Sequence, residues 1–195
     1  MKKFYLALIF VLAIASEGLC GGWIYYTDGP YKGKVVDLET GKPIEGAVVA
    51  GVWELALYGS PQGPIPRFCD AKETLTDKNG GFTVPKASCF HLWPFTKLGW
   101  PQFVVFKPGY LGYPPIGAAM EERLSRMPDF TGEEFRDKKH YYVIKLGRPK
   151  IKEERALTQS NAQPHPFEAY RKLPTLLKLL NEERKNLGLL GEIEP

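Results

Sequence analysis

The segment Asp77-Lys78-Asn79-Gly80-Gly81 constrains the folding of this chain more than any other. Asn-Gly supplies the positive backbone angles of a tight turn, so the runs on either side must return antiparallel. Both runs are β-like, Ala71 to Thr76 before the turn and Phe82 to Val84 after it. Cys69 and Cys89 stand equally far from Asn79. A hairpin symmetrical about Asn79 sets position 76 against 82, 74 against 84 and 69 against 89. That register predicts a Cys69–Cys89 disulfide across one ladder in an oxidising compartment. In the chain-entropy model a bridge closing such a loop contributes about 3 kcal/mol.

Turn chemistry recurs along the chain. With 20 Gly and 17 Pro in 195 residues and no repeat period, the sequence reads as many short strands joined by turns. Tyr31 to Leu38 is a first strand, Glu39-Thr40-Gly41-Lys42-Pro43 a turn, and Gly46 to Leu57 a second strand. On that second strand Val49, Trp53, Leu55 and Leu57 share one face, and Val48, Ala50 and Val52 the other. Apolar residues on both faces require cover on both sides. Residues 58–68 and 86–101 read as long loops, Phe103 to Phe106 as a short strand and Ala118 to Met127 as a short helix. The alternation from Tyr141 to Leu146 marks a last strand. After it, a polar linker leads to an amphipathic helix from Pro174, with Leu176, Leu177, Leu180 and Leu187 near one stripe. It packs on the β body or on a partner.

The first residues concern delivery. Lys2 and Lys3 precede eleven apolar residues, Phe4 to Ile14, followed by Ala15 and Ser16. Such a run is short for a ~30 Å bilayer core and has the form of a signal peptide. The division expected is therefore 1–22 signal peptide, 30–147 β-sandwich, and 148–195 polar linker and helical tail. An uncleaved anchor and lipid attachment at Cys20 are the alternative routes to a membrane, although Leu19 is larger than the residue a lipoprotein signal wants before its cysteine. The expected location is periplasmic or extracellular. Net charge is +4 with acids and bases interspersed, not the clustered basic face of a nucleic-acid binder.

Several pieces occur in a recognisable order: Gly33-Lys34-Val35-Val36-Asp37, Thr40-Gly41-Lys42-Pro43-Ile44, Gly46-Ala47-Val48-Val49, Thr76-Asp77-Lys78-Asn79-Gly80 and Phe82. Together they resemble the carboxypeptidase regulatory-like domain over roughly residues 31–107, with a last strand near 139–147. The resemblance implies an all-β, seven-stranded antiparallel Greek-key sandwich of the transthyretin-like type, here with a C-terminal helical tail. In metallocarboxypeptidases that domain is an accessory to the catalytic one. The tail, with Asn181-Glu182-Glu183-Arg184 and Leu187-Gly188-Leu189, is similar to that of a group of exported bacterial members.

Catalytic signatures are missing from the sequence. His91, His140 and His165 stand far apart, without the short-spaced pairs of zinc hydrolases. There is no nucleophile elbow, P-loop or dinucleotide fingerprint, and the paired acids lie in polar surroundings. No cofactor is expected. The reading is a non-catalytic envelope module with a structural or protein-interaction role, its partner an envelope protein or a glycan. Trp93, Trp100, Tyr110 and Tyr113 form the candidate binding surface, set in loops beside prolines and glycines as suits stacking on sugar rings. The reading preferred over this is that they cap the open end of the sandwich as a secondary core. Two alternatives stay open: a carbohydrate- or cell-wall-binding domain using these aromatics, and a metal-dependent hydrolase.

Overall fold

Alternating side-chain direction sorts the apolar residues of each strand onto faces, and the faces then choose their layers. The computed structural model describes residues 25–92, 95–113, 141–149, 154–156 and 162–194. In these residues lie strands β1 (Tyr25–Asp28), β2 (Tyr31–Asp37), β3 (Val48–Leu57), β4 (Ile65–Leu75), β5 (Gly81–Val84), β6 (Ala87–Phe90), β7 (Thr96–Leu98), β8 (Gln102–Phe106) and β9 (Tyr141–Leu146). A 3₁₀ helix (Phe167–Lys172) and helix α1 (Pro174–Leu187) follow. The leader, His140 and the helix expected at 118–127 lie outside the described residues.

Three sheets result. β2 lies between β5 and β9, β3 lies between β4 and the successive strands β8 and β7, and β1 pairs with β6. The fold is mostly β, as expected, but two expectations need correction. One ladder is parallel: β2 and β9 run in register from Lys32 opposite Tyr141 to Asp37 opposite Leu146. A parallel pair needs a long crossover, and the whole of β3 to β8 intervenes between these strands. The segments read as loops also supply β6, β7 and the first half of β4, and β1 precedes the first strand read from the sequence.

The main core lies between the two larger sheets. Val35, Phe82, Tyr142 and Ile144 come from the β2 sheet and meet Val49, Trp53, Phe103 and Val105 from the β3 sheet. Tyr31 stacks edge-on against Phe103 with ring centroids 5.1 Å apart. Gly33 is needed here for close approach. A Cβ on it would stand 2.4 Å from the Tyr142 carbonyl oxygen and 2.6 Å from the Phe82 ring.

The opposite face of β3 and β8 carries Val48, Ala50, Val52, Val104 and Phe106, and all five are buried. Their cover is the C-terminal tail. Tyr170, Leu173, Leu176 and Leu180 pack on this face, so β3 belongs to two cores and α1 packs on the β body. Polar groups of β4 fix the tail in place. The Glu73 carboxylate accepts hydrogen bonds from the Thr175 and Leu176 N–H groups (2.7 and 2.9 Å), satisfying donors that the first turn of a helix leaves unpaired. Lys172 Nζ lies 2.7 Å from Asp70. At the far end Gly188, at φ 72°, makes the left-handed cap of α1.

The Asn79 hairpin forms differently from its predicted register. Asp77 and Gly81 pair as expected (2.9 Å), but only Gly80 has a positive φ, at 74°. The Asp77 carboxylate accepts from the N–H groups of Asn79 and Gly81, closing the turn from inside. Beyond this point the two strands part. Thr76 bonds to Ile44 and Ala47, while Phe82 pairs with Gly33 of β2. The turn therefore carries the chain from one sheet to the next.

Candidate functional site

The disulfide is present although its predicted setting is not. Cys69 and Cys89 are bonded with Cα atoms 5.4 Å apart. Cys69 lies in β4 of the β3 sheet, and Cys89 lies opposite Tyr26 in the β1–β6 pair. The bridge thus joins two sheets and does not cross one ladder. Its neighbours reinforce it, since the Ser88 N–H donates to Asp70 Oδ2 at 3.0 Å. Asp70 is consequently shared by β6 and, through Lys172, by the tail. Burial alone would raise its carboxyl, but Lys172, the Ser88 N–H and Lys72 outweigh it and hold Asp70 below the ordinary carboxylate value.

The other buried acids are engaged in the same way. Asp28 Oδ2 accepts from the Tyr31 hydroxyl (2.6 Å) and from Trp53 Nε1 (2.7 Å), tying β1 and β2 to β3. Burial and this carboxylate push the Tyr31 phenol far above its ordinary pKa, so it remains a donor. Asp37 accepts from the Glu39 and Thr40 N–H groups and from Arg148 Nε at 3.0 Å. Burial acts to raise it, yet the Thr40 N–H and Arg148 prevail and bring its pKa down to about 2. Glu183 on α1 takes a two-point contact from Arg155. Each of these carboxylates binds one part of the chain to another.

Of the four aromatics expected to form a binding surface, the three that are described, Trp100, Tyr110 and Tyr113, do not converge. Trp100 is 61% exposed in the bend between β7 and β8. Tyr110 lies past the other end of β8, against Arg148 and the main core. Tyr113 bridges Val105 and also packs on that core. Along β3 the register runs from Val48 opposite Phe106 to Leu55 opposite Leu98, so Trp100 and Tyr110 are separated by most of that strand. Tyr110 and Tyr113 are thus partly buried against the main core. Trp93 lies outside the described residues.

Other exposed aromatics occur as two pairs. Tyr25 and Phe90 stand opposite each other in the β1–β6 ladder, and both are exposed. Phe95 and Tyr58 are joined by a backbone hydrogen bond from the Tyr58 N–H (2.8 Å), and both are exposed as well. Phe90 and Phe95 lie in the segment 86–101 that the sequence presents as a loop. The partners Tyr25 and Tyr58 are set beside them only by the pairing of β1 with β6 and of β3 with β7.

A depression of about 390 Å³ lies against β2 and β5, lined by Lys32, Thr74, Asp77, Thr83 and Tyr141 among others. Asp77 is already occupied in the turn. Among the described residues no three His, Cys, Asp or Glu side chains group to hold a metal, and no helix is long and apolar enough to cross a membrane. Comparison of the chain with protein-family models, with curated proteins and with solved structures finds no match to any of them.

Proposed function

We propose that this chain is an exported, non-catalytic module of the cell envelope, acting as a scaffold or interaction partner in the periplasm or outside the cell. The observation that carries the reading is the Cys69–Cys89 bridge between two sheets, in a chain whose first residues read as an export signal. Disulfides persist where the surroundings are oxidising. The engaged acids support the non-catalytic part. Catalytic carboxylates need a perturbed pKa and access to substrate, whereas Asp28, Asp37 and Asp70 are buried and tied to structural donors.

The seven strands of the two larger sheets are, on this reading, a transthyretin-like Greek-key sandwich, with β1–β6 and the tail as additions. The ordered motif from Gly33 to Phe82 supports that assignment. Gly33 fills a place no side chain fits, and Gly80 adopts the left-handed turn conformation. A glycan-stacking role would rest on Trp93 and Trp100, since Tyr110 and Tyr113 pack against the core.

The test is a fusion of the full chain to an enzyme active only outside the cytoplasm. Activity is expected, and an inactive, cytoplasmic fusion would refute export. Turnover of peptide, ester or glycan panels by the purified chain would refute the non-catalytic reading.

A further inference from the structure

Alternation sends Tyr31, Val35, Phe82, Val84, Tyr142 and Ile144 into the main core, so the residues between them point to the outer face of the β2 sheet. The two ladders set these outer residues side by side. Thr83, Lys32 and Tyr141 form one row across β5, β2 and β9, and Gly81, Lys34 and Val143 form the next. Val36 and Lys145 follow. Tyr141 is 62% and Val143 48% exposed, and Lys32, Thr83 and Lys145 are exposed with them. One continuous face thus holds three lysines beside a tyrosine and a valine, and no acid takes a strand position on it. Among the described residues none of these lysines has an ion-pair partner. The depression of about 390 Å³ lies at the first row, where Thr74 and Asp77 join its lining. The turn takes both of its hydrogen bonds on Asp77 Oδ1. Oδ2 stands on the outer face, 3.0 Å from where a Cβ of Gly81 would lie.

We propose that this face binds an acidic polysaccharide, with one sugar ring in the depression against Tyr141 and carboxylates of the chain along Lys32, Lys34 and Lys145. Charge selects an anion, because the three cations meet a single acid at their margin. Their arrangement selects a chain over a small anion. Lys32 and Lys34 stand two residues apart on one strand, roughly 7 Å, and Lys145 lies two residues further along on the neighbouring strand. The depression selects a sugar. Its size is that of a small-ligand site, and it offers the Thr74 and Thr83 hydroxyls, the free Asp77 oxygen and an exposed tyrosine ring. Ring hydroxyls pair with the first three, and the apolar face of a pyranose lies on the last. An acidic peptide or a phosphate backbone gives the Asp77 oxygen few donors and sets negative charge beside it. The proposal deepens the interaction-module reading by naming a partner class, on residues other than the loop tryptophans, and it does not depend on the leader.

The full chain, labelled with nitrogen-15, is titrated with galacturonate and alginate hexamers, which carry one carboxylate per ring, and its amide spectrum is followed. Shifts are expected at residues 32–34, 74–83 and 141–145, with affinity falling as salt rises. Lys32→Glu/Lys34→Glu, with unchanged circular dichroism, should weaken binding about tenfold or more, and Lys32→Arg/Lys34→Arg should retain it. Tyr141→Ala should weaken it as well, and Lys97→Glu on β7 should leave it unchanged. Failure of both hexamers to bind at millimolar concentration would overturn the proposal. So would equal binding of a neutral galactan hexamer, polyglutamate or oligothymidylate, shifts confined to other surfaces, or unchanged affinity in the double Glu variant. Absence of binding would remove this face alone and leave the non-catalytic reading in place. Cleavage of a bound hexamer would remove that reading and leave the face assigned.

Discussion

Replacing both bridging cysteines, Cys69→Ser/Cys89→Ser, tests how much the disulfide holds. Cys69 and Cys89 are separated by 20 residues. A loop of that length corresponds to about 11 cal/mol/K of unfolded-state entropy, or about 3.3 kcal/mol at 25 °C. The native state adds a local consequence. β6 pairs with β1 over four residue pairs, and a two-stranded unit of that size is marginal in water by itself. Without the bridge, its links to the rest include the Asp28 bonds to Tyr31 and Trp53, the Ser88–Asp70 bond, the buried Ala87, and the Tyr26 contact with Thr96. Urea unfolding followed by circular dichroism is the assay. With a slope of about 2 kcal/mol/M, the midpoint of the double variant should fall by about 1.6 M. Amide exchange in 25–28 and 87–90 should accelerate more than in β3. A loss of stability below about 1 kcal/mol would refute the reasoning, because the unfolded loop would then have little entropy for the bridge to remove.

Leu180→Ala should cost about 2 to 5 kcal/mol by urea unfolding, because Leu180 is fully buried between α1 and the outer face of β3; a cost under about 0.5 kcal/mol would mean that the tail is not part of the folded body. The Tyr170 hydroxyl is buried without a hydrogen-bond partner, and burial pushes its pKa up to about 12. Tyr170→Phe should therefore leave the protein as stable or about 1 kcal/mol more stable, and a clear loss would reveal a partner for the hydroxyl. Asp37 has a folded pKa of about 2 against an ordinary 3.8, so its contribution is complete above the higher value and is lost as pH falls between them. Asp37→Asn should flatten the pH dependence of the unfolding midpoint across that window, and an unchanged slope would contradict the assignment.

Much of the β body was legible because its signals are local. Val35-Val36, the two-faced run at Val48 to Leu57, Phe103 to Phe106 and the alternation at Tyr141 to Leu146 all became strands near their expected bounds. The need for cover on both faces of β3 was readable from the same residues, and the leucine stripe of α1 met it. What escaped was pairing. Ala87 to Phe90 and Thr96 to Leu98 have no distinctive composition and are strands because β1 and the end of β3 lie beside them. The cysteines were matched correctly by distance from Asn79 and wrongly by ladder, because Thr76 and Phe82 diverge to separate sheets one residue beyond the turn. Asp37 before Thr40-Gly41 carried a turn signal. Asp28 and Asp70 carried none, since their partners come from β2, β3, β6 and the 3₁₀ helix.

Alkylating thiols in intact cells before lysis, then weighing the chain with and without reductant, addresses compartment and bridge together. The account predicts a chain in the envelope or extracellular fraction in which Cys69 and Cys89 resist alkylation until reduced. A cytoplasmic chain with both cysteines alkylated at once would contradict it.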